Sequence, residues 1–155
     1  MKKTIRRAAR DTSATGTFRP KQILVPVDFS ESTAGLLQFS QALAGQTGAR
    51  LTLLHVVEPI HVDWKMDTSD LQRERQVQSS RMLRELVERE FGGGKVAAEI
   101  RAGPPVETIA SFARQTKTDM IIIATHGRTG LKRALLGSVA ERVVRHAPCP
   151  VLVVR

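Results

Sequence analysis

Residues 125–143 read THGRTGLKRALLGSVAERV, and the first fourteen of them combine glycine, hydroxyl and cation without a single carboxylate. Gly127, Gly130 and Gly137 leave no Cβ between the backbone and an approaching group, so main-chain N–H donors there can come close to an anion. Gly137 and Ser138 stand before a helical stretch, whose first N–H groups lack intrahelical partners and carry the positive end of the helix dipole. Arg128, Lys132 and Arg133 add positive charge nearby. Such a segment suits a phosphate cradle built from backbone donors. Plain loop chemistry competes with that reading: Ser138-Val139-Ala140-Glu141 has the spacing of a capping box, and the glycines can simply shape turns. His126 stands in the same loop as a candidate base, against the blander role of an exposed or hydrogen-bonding histidine. Asp28 offers a carboxylate at the end of an earlier apolar run, where it also suits a turn or cap before the helix that follows.

The elements that must position these residues alternate along the chain. Apolar runs at 22–28 (QILVPVD), 49–58, 95–103, 119–125 and 150–155 read as strands. Helical spacing fills the gaps. Residues 30–48 place Ala34, Leu37, Gln41 and Ala44 beside Leu36, Phe39 and Leu43, with Ser30 as the expected N-cap. Residues 70–91 put Leu83, Leu86 and Val87 on one face, and 104–117 open on two prolines ahead of a stripe of Val106, Ile109, Ala110 and Ala113. Residues 138–147 form the last helix. Five strands alternating with helices predict an α/β fold, an open, doubly wound, Rossmann-like parallel sheet with helices on both faces. With strand order 3-2-1-4-5, strands one and four flank the switch point where such sheets bind ligands. Asp28 ends strand one, and the glycine loop follows strand four.

Composition bounds the rest. A chain of 155 residues suits one domain, and no apolar stretch approaches the roughly 20 residues that cross a bilayer. The single cysteine, Cys149, cannot pair within the chain, so a reducing cytoplasmic setting is expected. Net charge is +9, and residues 1–21 hold seven cations against Asp11 alone. Most of the basicity therefore belongs to residues 1–20, expected to be a disordered tail ahead of a single domain at 21–155. Such an arm could touch nucleic acid nonspecifically, but a solvated extension is the expectation. An Arg-rich, acid-poor start also has the composition of an organellar transit peptide.

The runs ILVPVDFSESTAGLL, LLHVVEP and ATHGRTGLKRALLGSVAERVVRHAPCPVLVV together resemble the universal stress protein family, in particular its ATP-binding branch. The resemblance spans Gln22 to Arg155. That branch carries Gly-x2-Gly-x9-Gly-Ser/Thr after the fourth strand; Gly127, Gly137 and Ser138 fit it, and Ala124 stands in place of the first glycine. The resemblance implies an ATP-binding regulator of stress response or signalling. Adenine would lie against Val27 and Val56 with Ile123 alongside, and Pro26, Ala124 and His126 would complete the nucleotide-binding set. Asp28 would take ribose hydroxyls or face Mg2+ brought by the nucleotide. Gly127, Arg128, Gly137, Ser138 and Val139 would meet phosphates, mostly through main chain. It also implies a homodimer through strand 150–154, with a protein partner of unspecified kind.

No Walker A pattern and no kinase motif is present, so a nucleotide binder with at most slow hydrolysis is expected. FGGGKV (91–96) follows a helix and enters a strand, which suits a helix C-terminus better than a phosphate loop. His61, Asp63, His146 and Cys149 lack zinc spacing. Trp64 in the connector either covers the pocket or caps the core. Two other functions compete: a dimeric adaptor with a vestigial pocket, favoured by Ala124, and a nucleic-acid-associated protein using the basic arm.

Overall fold

In the computed structural model, residues 17–60, 67–92, 94, 96–125 and 136–155 are described. They form β1 (Gln22–Pro26), α1 (Ser32–Thr47), β2 (Arg50–Val57), α2 (Ser69–Phe91), β3 (Ala97–Ala102), α3 (Pro105–Gln115), β4 (Met120–Ala124), α4 (Ser138–His146) and β5 (Val151–Val154). The five strands make one parallel sheet, as the alternation of strand runs and helical stretches predicts, and their order is β3-β2-β1-β4-β5, the one assumed for the switch point.

Both faces of the sheet are covered, which is why the central strands are continuous aliphatic runs and not alternating ones. Ile23, Val25, Leu51, Leu53 and Ile122 pack under α1 and α2 with Leu36, Leu37, Leu83 and Leu86. On the other face Leu24, Leu54, Ile121 and Ile123 meet Val106, Ile109, Phe112 and Val143 of α3 and α4. The stripe expected on α3 is buried throughout, and Phe112 joins it. Among the described residues, no helix is long and apolar enough to cross a membrane.

The structure corrects three expectations of local detail. Strand β1 stops at Pro26, not at Asp28, because the chain turns there: Phe29 adopts φ 60°. Ser30 does not cap α1. Glu31 holds the N-cap position without a side-chain cap bond, and the Ser30 hydroxyl is turned to Asp28. The buried side of α1 is Thr33, Leu36, Leu37 and Ser40, whereas Ala34 and Phe39 face outward. A hydroxyl at position 40 fits the apolar side because it donates to the Leu36 carbonyl at 2.7 Å. At the far end of α2, Gly92 sits at φ 55° and its N–H donates to the Glu88 carbonyl, the helix-end role expected for the start of FGGGKV. His61, Asp63 and Trp64 lie outside the described residues.

Candidate functional site

A cleft of about 380 Å³ opens at the carboxyl ends of β1, β2 and β4, within the size range of small-molecule sites. Because β1 pairs with β2 on one side and β4 on the other, this is where successive connections leave the sheet on opposite faces. Two turns build its polar parts.

The first turn follows β1. The Val27 N–H donates to the Leu54 carbonyl at 2.9 Å, extending the β1–β2 ladder one step past the strand. The Val27 carbonyl meets Nδ1 of buried His55 at 2.8 Å, and since a carbonyl only accepts, Nδ1 carries the proton. The His55 ring also lies against Phe29, with centroids 4.3 Å apart. Left-handed backbone at a phenylalanine is uncommon, and this stacking, with the Asp28 bonds that follow, holds it in place. Asp28 Oδ1 accepts from the Ser30 N–H at 3.0 Å and from the Ser30 hydroxyl at 2.6 Å. The aspartate therefore shapes the turn while its side chain remains part of the cleft lining.

The second turn leads into α4. The Gly137 N–H donates to the Thr125 carbonyl at 2.7 Å, tying the return of the loop to the tip of β4. Gly137 is the N-cap in extended conformation, and Ser138 is already the first helical residue. The capping box does not form: among the described residues no side chain caps α4, and Glu141 Oε1 accepts from Arg145 at 2.8 Å instead. With Ser138 inside the helix, its hydroxyl is badly placed to cap, and Gly137 to Ala140, the start of the helix, line the cleft with no capping side chain among the described residues. Uncapped donors at the positive end of a helix suit an anion.

Of the residues singled out in sequence, Pro26, Val27, Asp28, Val56, Ile123, Ala124, Gly137, Ser138 and Val139 line this one cleft. His126, Gly127 and Arg128 lie outside the described residues, as do Lys132 and Arg133. The cleft also takes in Thr33, His55 and Glu58, which sequence reasoning did not single out, and Leu36 and Ile109, which it read only as helix-face residues. His55 sits inside LLHVVE and reads as strand core; its contact with Val27 joins segments 28 residues apart. Thr33 carried one legible sign, a polar residue three before Leu36 on an apolar stripe. Among the described residues no group of three His, Cys, Asp or Glu side chains could hold a metal.

Cys149 packs outside the cleft, half-buried against the α3–α4 side of the sheet. Burial pushes its thiol pKa up, and the Asp119 carboxylate reinforces this, while a backbone hydrogen bond from Ile121 acts the other way. Asp119 is itself fixed, accepting the backbone N–H groups of Lys21 and Gln22 at 2.9 and 3.0 Å. A raised pKa means less thiolate at a given pH. Alkylation of folded protein by iodoacetamide at pH 8 is expected to run several-fold slower than that of a peptide thiol. Equal rates in a stopped time course would refute this.

A model of the Universal stress protein family matches residues 20–155. Universal stress protein MJ0531 of Methanocaldococcus jannaschii is 34% identical over 142 residues, covering 87% of this chain and 82% of the relative. Universal stress protein MJ0577 of the same organism is 31% identical, with 87% and 94% covered. Among solved structures, the universal stress protein UspA from Lactobacillus plantarum superposes with a TM-score of 0.78 at 29% identity, covering 90% of this chain and all of that one. The structure of MJ0577 gives 0.73 at 32% identity, covering 88% and 96%. A universal stress protein solved in complex with cAMP shares the fold, with a TM-score of 0.68 at 22% identity over 89% and 99% of the two chains. Sheet order, the cleft at the β1–β4 switch point and this extent of similarity agree: the chain belongs to the universal stress protein family.

Proposed function

We propose that this protein is an ATP-binding regulator of stress response or signalling, acting through nucleotide-dependent conformation and the binding of a protein partner in the cytoplasm. The observation that carries the reading is one cleft holding both the Asp28 carboxylate and the uncapped start of α4. A nucleotide matches that pairing, since it joins hydroxyls that a carboxylate can accept to phosphates that backbone N–H groups can bind. Val27, Val56 and Ile123 supply apolar wall for the base, with Pro26 and Ala124 beside them. Gly137, Ser138 and Val139 offer main chain to the phosphates, and His126, Gly127 and Arg128 join them by family resemblance. Mg2+ would arrive with the nucleotide and meet Asp28. Binding is the proposed role, with hydrolysis at most slow.

Calorimetry on purified protein with ATP and Mg2+ tests this, using Asp28→Ala as the probe. Affinity is expected to fall at least tenfold, about 1.4 kcal/mol. Wild-type affinity in the variant would reject the placement of the pocket. A universal stress protein of this fold binds cAMP, so cAMP and AMP belong in the same titration as competitors.

A second reading, a dimeric adaptor with a vestigial pocket, is favoured by Ala124, whose methyl group stands at the cleft where the ATP-binding pattern has glycine. ATP released from freshly purified, denatured protein would eliminate it. In either reading the proposed assembly is a homodimer paired through β5.

A further inference from the structure

Thr33 is 5% exposed, and its Oγ1 is buried with no hydrogen-bond partner among the described residues. Three other helical hydroxyls satisfy themselves on the carbonyl four residues back: Ser40 on Leu36 at 2.7 Å, Thr47 on Leu43 at 2.8 Å and Ser80 on Gln76 at 2.8 Å. Thr33 cannot copy them. Four residues back is Phe29, which precedes α1 and sits at φ 60°, so no helical carbonyl is presented there. The Thr33 backbone is accounted for, its N–H donating to the Ser30 carbonyl at 3.0 Å. What remains is a hydroxyl taken out of water and left unmade, the arrangement native proteins avoid unless another group completes it.

Thr33 belongs to the cleft lining, together with Asp28 and Leu36, and its hydroxyl is held within that wall. Asp28 and Thr33 come from the same short segment and are joined through Ser30, whose N–H and hydroxyl bond Asp28 and whose carbonyl accepts from Thr33. They therefore border the same part of the cleft. We infer that Thr33 is a specificity-determining residue whose hydroxyl hydrogen-bonds a sugar hydroxyl of the bound nucleotide. The inference rests on the nucleotide reading above. Two hydroxyls make a natural pair, since each donates and accepts, and a site built around such a bond rejects the analogue that lacks it.

The test compares Thr33→Val, which keeps shape and removes the hydroxyl, with Thr33→Ser, which keeps the hydroxyl. Each is titrated with ATP, 2′-deoxy-ATP and 3′-deoxy-ATP, and each is melted without ligand. Thr33→Val is expected to bind ATP roughly three- to tenfold more weakly, with Thr33→Ser close to wild type. One deoxy analogue should bind wild type weakly and bind Thr33→Val no worse than ATP does. Without ligand, Thr33→Val should melt about 2–4 °C higher, because an unsatisfied buried group has been removed. A stabilised variant with unchanged ATP affinity would overturn the inference and leave the nucleotide site intact. An equal loss for ATP and both analogues would also overturn it. Wild type that binds no ATP would dismiss the nucleotide reading itself, and this assignment with it.

Discussion

Ser138→Asp is expected to lower ATP affinity at least a hundredfold while leaving the fold as stable as wild type or slightly more so. The two effects have opposite signs because the same dipole is being read in two ways. A carboxylate in the first turn of α4 interacts favourably with the positive helix end, worth about 0.3–1 kcal/mol, and α4 has no side-chain cap among the described residues to disturb. The same carboxylate competes for the N–H groups proposed to bind phosphate and repels the phosphate directly. Unit charges 4 Å apart interact by about 4 kcal/mol near a protein surface, so a loss of about 2.7 kcal/mol survives substantial screening. Ser138→Ala provides the contrast: if main chain does the binding, removing the hydroxyl should change affinity less than threefold. Calorimetry and thermal melting on the three proteins decide the matter. ATP binding to Ser138→Asp within threefold of wild type would move the phosphates away from α4.

Order and type of the elements were legible because each rests on local periodicity. The central strands and the buried face of α3 follow from runs such as IIIA and from the spacing of Val106, Ile109 and Ala113, because apolar side chains must be buried against the sheet. The end of β1 and the buried side of α1 did not follow. Handedness narrowed the topologies to an open doubly wound sheet, and the order 3-2-1-4-5 was assumed among them, with resemblance in support. Detail failed where hydrogen bonds between segments decide it. Ser30 looked like a cap but bonds Asp28 once the chain turns at Phe29, and Ser138 fell one position inside the helix its spacing suggested it would cap. His55 was invisible as a site residue, because its strand position is that of core and only the Val27 carbonyl reveals what its ring does. Thr33 was hidden for the converse reason: a threonine near a helix start is ordinary, and the missing bond appears only when the neighbouring backbone is seen.

In the proposed homodimer, copies of the chain would meet along the outer edge of β5, and Val153→Pro is expected to turn that dimer into a monomer. Ile121 and Thr125 of the β4 side donate to the carbonyls of Pro150 and Val154 at 3.0 and 2.8 Å. Along a parallel strand, successive residues point their backbone groups to opposite sides, so Leu152 also faces β4, and Val151 and Val153 present theirs outward. The other edge, β3, carries Glu99 and Arg101, joined at 2.7 Å, the charged dressing that discourages strand addition. Strand β5 is four aliphatic residues with no charge, so it is the edge suited to pair with its own copy. Proline at 153 removes an outward donor without touching the β4 ladder, which an edge strand tolerates. A two-fold interface repeats the defect, leaving two acceptors unpaired at about 1–3 kcal/mol each. The dimer dissociation constant should therefore rise at least about thirtyfold in sedimentation equilibrium, with the far-ultraviolet circular dichroism unchanged. Val153→Thr keeps the N–H and should stay dimeric. If Val153→Pro associates as tightly as wild type, the copies do not meet through β5, and a nucleotide signal would have to leave the cleft by a route other than the strand beside Ile123.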